Sequence, residues 1–108
     1  MSNLPTTFAA LGDPTRFAIV ERLLKEGELN AGSVQEVMSI SAPAVSRHLK
    51  VLRNAGVIEQ RIKGQQRLYS VRPEAIQGIS AWTMSHREFW QASLDRLEMA
   101  LQQEINRK

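Results

Sequence analysis

The most informative pattern of apolar and polar positions lies in residues 41–52, which read SAPAVSRHLKVL. Val45, Leu49 and Leu52 recur there at steps of four and three, which places them on one face of an α-helix. The opposite face carries polar and cationic residues together with a proline: Pro43, Arg47, Lys50 and Asn54. The pattern predicts a helix whose back packs into a core and whose basic front is exposed.

Capping signals mark both ends of this helix. Ser41 is the candidate N-cap, because its hydroxyl can accept a hydrogen bond from an amide of the first turn. Pro43 follows near the start, where the amides have no partner within the helix and a missing N–H costs nothing. Gly56 supplies the stop after Ala55, since glycine suits the left-handed residue beyond a helix end.

A β-hairpin is predicted immediately after the helix, within residues 57–72. Its two runs are rich in β-branched and aromatic residues: Val57, Ile58 and Ile62 in the first, and Leu68, Tyr69 and Val71 in the second. Residues 63–66, KGQQ, have the composition of the turn between them. The hairpin carries four cations: Arg61, Lys63, Arg67 and Arg72.

A short helix is predicted upstream over residues 33–38, with residues 39–41 as a tight connection to the basic helix. Its apolar residues are expected to pack against Val45 and Leu49; they are Val34, Val37 and Met38. The helix-turn-helix would then occupy residues 33–55 and the hairpin, or wing, residues 57–72. The predicted fold class is mainly α with a small β-hairpin, a winged helix-turn-helix.

A longer helix is predicted before this motif. It begins after the N-cap candidate Asp13, with Pro14 at the first helical position, and it ends at Gly27. We expect its buried stripe to comprise Phe17, Val20, Leu23 and Leu24, joined by Ile19.

The chain returns to helix after Pro73. The pattern predicts a short helix over residues 74–80, interrupted near Gly78, and a long one to about Ile105. The long helix has an apolar stripe at steps of four, three, four and four: Trp90, Leu94, Leu97, Leu101 and Ile105. This stripe must be buried, either in the same chain against the N-terminal segment 4–11 or against a second subunit.

The 108 residues fit one domain, 1–108, and a chain this short buries a modest core, which favours oligomerisation. The net charge of +3 is unevenly distributed, because residues 41–72 hold seven Lys and Arg against one Glu. Such a concentration steers a protein toward phosphate. Neither a membrane span nor a secretory signal is recognisable, so we expect a cytoplasmic location and no membrane partner.

Catalytic and metal sites find little support in the sequence. The absence of cysteine excludes thiolate ligands and thiol redox sensing, and neither His48 nor His86 has a second strong ligand at i+3 or i+4. Ser46 and His48 are two residues apart on a helix and do not face each other, and no phosphate-binding loop occurs. We expect no enzyme activity, no metal site and no cofactor, although the sequence leaves open a zinc site shared across a dimer.

Several stretches carry a resemblance to the ArsR/SmtB family of winged helix-turn-helix repressors over nearly the whole length. Residues 8–16, FAALGDPTR, resemble that family's opening. Residues 46–52 and 55–57 resemble its recognition helix and exit, and Gly64, Arg67 and Tyr69 resemble its wing. The tail, with Trp82, residues 89–90 and residues 94–97, is similar to a metal-free branch whose members often repress their own promoters. The resemblance implies a transcriptional repressor with this fold.

The resemblance also implies a twofold dimer built from the terminal helices, here residues 4–12 and 74–105. The expected interface residues are Leu4, Phe8, Leu11, Trp90, Leu94, Leu97, Leu101 and Ile105. Packing within one chain is the alternative. Two recognition helices related by a twofold axis would read an inverted repeat in double-stranded DNA, with half-sites about 10 base pairs apart or a multiple of that.

The candidate DNA-binding residues lie on the recognition helix and the wing. On the helix they are Ser41, Ala42, Ala44, Ser46, Arg47, His48, Lys50 and Arg53, and on the wing Arg61, Lys63, Gln65, Gln66 and Arg67. Arg47 is the first candidate for a bidentate base contact, whereas Lys50 and Lys63 suit phosphate. His48 has an equally weighted alternative, which is packing at the edge of the buried face.

Two questions remain open from the sequence. One is whether the fold serves instead as a protein interaction module without sequence-specific DNA binding, although such a module needs no basic front. The other is the effector: a ligand pocket lined by Trp82, Phe89 and Trp90 is the alternative, whereas aromatic residues at helical spacing are usually core or dimer interface.

Overall fold

The structure, a computed structural model, describes residues 3–107. In chain order its elements are α1 (Leu4–Leu11), α2 (Pro14–Glu26), β1 (Leu29–Asn30), α3 (Ala31–Met38), α4 (Ala42–Asn54), β2 (Ile58–Lys63), β3 (Gln66–Val71), α5 (Pro73–Ser85) and α6 (Arg87–Asn106). They form two compact units, one up to Gly78 and one from Ile79 onward. The mainly α fold with a winged helix-turn-helix is confirmed.

Side chains cap the first four helices at their N-termini. Each accepts a hydrogen bond from a backbone amide three residues on: Asn3 for α1 at 3.2 Å, Asp13 for α2 at 2.9 Å, Asn30 for α3 at 2.8 Å and Ser41 for α4 at 3.2 Å. The predicted caps Asp13 and Ser41 are therefore confirmed. Asn30 was not anticipated, and it starts α3 at Ala31 instead of Ser33.

The sheet has three antiparallel strands in the order β1-β3-β2. The predicted hairpin is confirmed, with Ile58 opposite Val71 at its base and Lys63 opposite Gln66 at its tip. Gly64 makes the turn with a φ of 62°, in the left-handed region that glycine tolerates best. The short β1 was missed, because two residues, Leu29 and Asn30, are too few to show a strand period.

The core of the first unit is formed by α1 to α4 and the sheet. Its buried apolar residues are Ala10, Ile19, Val20, Leu23, Val34, Val45, Leu49, Leu52, Val57, Ile58 and Tyr69. Three residues predicted to be buried are not, since Phe17 is 48% exposed, Leu24 56% and Val37 38%. On α2 the buried positions are Ile19, Val20 and Leu23, a narrower stripe than the apolar pattern indicates.

The second unit, from Ile79 onward, contains the later part of α5 and all of α6. The interruption predicted near Gly78 is wrong, because α5 runs as one helix from Pro73 to Ser85 and the break falls at His86. No residue in the described part of α6 is buried, and its apolar stripe is exposed along its whole length. Within residues 3–107, no helix combines the length and apolar character needed to cross a bilayer.

Candidate nucleic-acid interface

Helix α4 separates its side chains as the sequence predicts. Val45, Leu49 and Leu52 are buried and fix the helix against the core. The exposed side carries most of the candidate contacts: Ser41, Ala42, Ser46, Arg47, Lys50 and Arg53. Ala44 and His48 lie at the boundary and are half-buried. The buried back therefore holds the helix rigidly while its polar front faces solvent.

A Schellman motif ends this helix. The amide of Val57 donates to the carbonyl of Leu52 at 3.0 Å, and the amide of Gly56 donates to the carbonyl of Arg53 at 3.0 Å. Gly56 has a φ of 76°, as predicted for the residue after the helix end. The motif turns the chain directly into β2, so the recognition helix and the wing are joined by a defined connection.

The cations of the α4 front are not neutralised by the protein. Within residues 3–107, no carboxylate forms an ion pair with Arg47, Lys50 or Arg53. The same holds on the wing for Lys63 and Arg67. Because an unpaired exposed cation attracts a polyanion most strongly, each of these five side chains is suited to contact the phosphate backbone.

His48 lies on the flank of α4 that faces the start of α2. The amide of Arg16 donates to Asp13 and lowers the pKa of that carboxyl, and the charges of Arg16 and His48 act in the same direction, while burial opposes them. This location is close to the core edge that the sequence analysis gave as the alternative to DNA contact. Ser41 is also a candidate DNA contact. Its hydroxyl oxygen accepts a hydrogen bond from the Ala44 amide in the N-cap, and its hydroxyl proton can still be donated.

The wing displays its cations on two different faces. Directly opposed residues of antiparallel strands share a face, so Arg67 shares a face with Ile62. Arg61 and Lys63 alternate onto the other face, with Leu68 opposite Arg61. Gln65 and Gln66 are exposed at the turn. The five predicted wing residues are therefore near the tip, but they do not form one continuous patch.

Arg61 is hydrogen-bonded to Glu28, a residue that no sequence motif singles out. Its guanidinium donates two hydrogen bonds to Glu28, Nε–H to Oε2 at 2.5 Å and Nη2–H to Oε1 at 2.8 Å. This pair lowers the pKa of the Glu28 carboxyl and raises the pKa of Arg61, and the charge of Lys63 also lowers that of Glu28. Nothing local marks Glu28 in the sequence, because its partner is 33 residues away.

Arg16 has a structural role that the sequence pattern does not predict. Its guanidinium Nε–H donates to the carbonyl of Ala10 at 2.7 Å and so satisfies one of the carbonyls at the end of α1. Arg16 therefore belongs to the scaffold. The only sequence signal for this role is the position of Arg16, about one turn after the end of the predicted helix 4–12.

The residues predicted for the dimer interface differ in exposure. On α1, Leu4 is half-buried, Phe8 is exposed, and Leu11 packs against the core. On α6, all five are exposed: Trp90, Leu94, Leu97, Leu101 and Ile105. Among the described residues, no three His, Asp or Glu side chains are close enough together to hold a metal ion.

Comparisons with known proteins agree with this arrangement. A family model described as a helix-turn-helix domain matches residues 11–61. The chain is 40% identical over 78 residues to the transcriptional repressor SdpR of Bacillus subtilis, covering 72% of this chain and 86% of that protein. It is 41% identical over 85 residues to the HTH-type transcriptional regulator Rv2034 of Mycobacterium tuberculosis, covering 79% and 76%.

A solved structure extends the likeness to the fold. The crystal structure of an ArsR family transcriptional regulator matches with a TM-score of 0.73 and 27% identity, covering 82% of this chain and 96% of that one. The match agrees with the buried-back helix, its unpaired basic front and the adjoining wing. The chain therefore belongs to the ArsR/SmtB family of winged helix-turn-helix repressors and is a DNA-binding transcriptional regulator.

Proposed function

We propose that this protein is a homodimeric repressor that binds an inverted-repeat operator in double-stranded DNA. The observation that carries the proposal is the basic front of α4, whose cations have no ion-pair partner among residues 3–107 while the back of the helix is held in the core. An interaction module has no need of this front. The relative SdpR, to which this chain is 40% identical, is named a transcriptional repressor, and this supports repression over activation.

In this proposal α4 recognises bases, and both α4 and the wing bind phosphate. Arg47, near the centre of the exposed front, is our candidate for a bidentate contact to guanine, with Ser46 and His48 in support. Ala42 and Ala44 are our candidates for contact with a thymine methyl. Lys50, Arg53 and Lys63 contact phosphate, and Arg67 contacts phosphate or a narrow minor groove. The amides of Gln65 and Gln66 add hydrogen bonds to the backbone.

The dimer is proposed to form through the apolar stripe of α6 together with α1. Five large apolar side chains are exposed to water in one row on α6. Burying each in an interface contributes about 1.5–3 kcal/mol to the free energy of association. A twofold axis would bury the same stripe on both copies. On α1 we propose that half-buried Leu4 and exposed Phe8 join it, whereas Leu11 already packs partly against the core.

Autorepression is the simplest regulatory circuit that we propose. No effector is assigned, and no metal or cofactor is required, so occupancy of the operator follows protein concentration. The protein acts on DNA and is therefore placed in the cytoplasm. The test is fluorescence anisotropy on DNA from upstream of its own gene, with a shuffled fragment as control, across a salt series.

Two outcomes separate the proposal from its rival. Binding to the upstream fragment at least about a thousandfold tighter than to the shuffled one, and weaker as salt rises, supports a sequence-specific autorepressor. Equal, weak binding to both fragments contradicts autorepression. If genomic DNA then yields no tighter site, the protein interaction module becomes the better explanation.

A further inference from the structure

The contact between Glu28 and Arg61 spans the whole sheet. Glu28 immediately precedes β1, Arg61 lies in β2, and β3 separates these two strands. Asn30 pairs with Leu68 and Leu68 pairs with Arg61, so Glu28 and Arg61 lie on the same face by strand alternation. The Glu28 carboxylate therefore reaches over β3 and ties one outer strand to the other.

The geometry of this contact restrains the wing. A bidentate arginine–carboxylate pair fixes direction as well as distance, because two parallel hydrogen bonds hold a planar group. Glu28 is anchored next to β1, which belongs to the body of the domain, and Arg61 is two residues before the end of β2. The side chains of both are partly exposed, at 31% and 56%, so the pair adds little to folding stability. Its effect is on the orientation of the hairpin.

We propose that Glu28 and Arg61 are positioning residues, which hold the wing at the angle where Lys63 and Arg67 reach the phosphate backbone. In this role Arg61 acts through Glu28 and does not itself contact DNA. The proposal rests on the proposed DNA-binding function. If Glu28 positions the wing, removing its charge weakens DNA binding. If Arg61 instead contacted DNA and Glu28 merely neutralised it, removing the charge of Glu28 would strengthen DNA binding.

The first test is Glu28→Gln, which removes a negative charge beside the wing. We expect the dissociation constant for the operator to rise about three- to tenfold, because misplacing the wing weakens its phosphate contacts. Glu59→Gln is the matched control: it removes the same charge from β2, the strand that carries Arg61, and Glu59 has no ion-pair partner within residues 3–107. Its dissociation constant should stay equal or fall. Tighter binding by Glu28→Gln, with a salt slope larger by about one, would overturn the proposal.

The second test keeps the charge and changes the geometry. Arg61→Lys retains the cation but loses the bidentate fork, so we expect it to weaken operator binding as Glu28→Gln does. Arg22→Lys is the matched control: it makes the same change in an arginine that pairs with Glu26 on α2, outside the proposed DNA-binding surface, and it should bind as the wild type. The charge-swapped double variant, Glu28→Arg with Arg61→Glu, should recover most of the lost affinity. Wild-type affinity in Arg61→Lys, or further loss in the swapped variant, would assign Arg61 to direct DNA contact.

A measurement without DNA separates this inference from the proposed function. Amide hydrogen exchange of residues 58–71 reports how firmly the hairpin is held. We expect faster exchange in Glu28→Gln and wild-type rates in Glu59→Gln. Unchanged exchange in Glu28→Gln would overturn the proposal that the Glu28–Arg61 pair, the clamp, holds the wing, even if the operator is bound. Conversely, if wild-type protein binds no operator, the exchange result still decides whether the clamp exists.

Discussion

Arg47 and Lys63 carry the same charge on different surfaces. Arg47 projects from a helix whose other side is buried, so its guanidinium can meet the edge of a base in a fixed orientation. Lys63 is at the tip of a two-stranded hairpin, where a flexible ammonium suits phosphate. Both residues are cationic. The packed helix that carries Arg47 suits the proposed base contact, and the hairpin tip that carries Lys63 suits the proposed phosphate contact.

Substituting each residue tests this distinction. We expect Arg47→Ala to cost about 1–3 kcal/mol on the operator and to relax preference at one base position. Lys63→Ala should weaken binding to all DNA similarly and lower the salt slope by about one. Anisotropy titrations on the operator and on its single-base variants measure both. If the two variants behave alike, the division between base and phosphate contacts is wrong.

Asp13 links a helix cap to pH. The Arg16 amide lowers the pKa of the Asp13 carboxyl in the folded protein, so the ionised form stabilises folding at pH values above the ordinary pKa of 3.8. This contribution is lost as the pH falls through the lowered pKa. Asp13→Asn keeps a capping oxygen but does not titrate.

The prediction concerns the stability difference between wild type and Asp13→Asn in urea. We expect the wild type to be more stable near pH 6, and the difference to shrink below pH 3.8 as the carboxylate is protonated. Urea unfolding at several pH values, at one protein concentration, provides the measurement. A difference that is constant from pH 6 to pH 2 would show that the charge of Asp13 does not contribute.

At the scale of elements, the sequence predicts those segments whose signals are local. The apolar steps of α4, its cap Ser41 and its stop Gly56 all lie within 16 residues, and the structure confirms each. The two-residue β1 and the partner of Arg61 depend on pairing across distant segments, which no local pattern encodes. Phe17 and Leu24 show a further limit, because apolar character alone does not fix which side of α2 faces the core.

The end of α4 offers a test of an element boundary. Gly56 has a φ of 76°, and a Cβ built there meets no atom within 4 Å. The cost of Gly56→Ala is therefore conformational, about 1–2 kcal/mol for a left-handed residue with a Cβ. Gly56→Asn should recover part of that loss, because asparagine tolerates this conformation. Urea midpoints at equal protein concentration give the ranking, and equal stability of all three proteins would contradict it.

At the scale of the molecule, the two units present different surfaces. The first buries an apolar core and exposes the basic front of α4, whereas α6 in the second exposes an apolar stripe. Sequence alone predicts that the stripe must be covered, but it does not decide by what. In the proposed dimer, a second copy covers it, and DNA affinity then depends on assembly because two half-sites are read together.

Leu97 and Met99 make a matched pair for testing this assembly. Both are large, apolar and exposed on α6, at 56% and 64%, but 200° of helical rotation places Met99 on the side opposite the stripe. Leu97→Glu would put a carboxylate into the proposed interface twice, once from each copy. Losing two buried leucines costs about 3–6 kcal/mol, so we expect the dimer dissociation constant to rise at least about 100-fold. Met99→Glu should leave it unchanged.

Sedimentation velocity at a series of concentrations measures the assembly, and anisotropy on full and half operators measures its consequence. Leu97→Glu should sediment as a monomer at concentrations where Met99→Glu is a dimer. It should also lose the preference for the full operator while keeping wild-type affinity for a half-site, because the stripe and the basic face are different surfaces. Equal sedimentation of the two variants would place the interface elsewhere. A matching loss on the half-site would mean that the substitution damaged the fold.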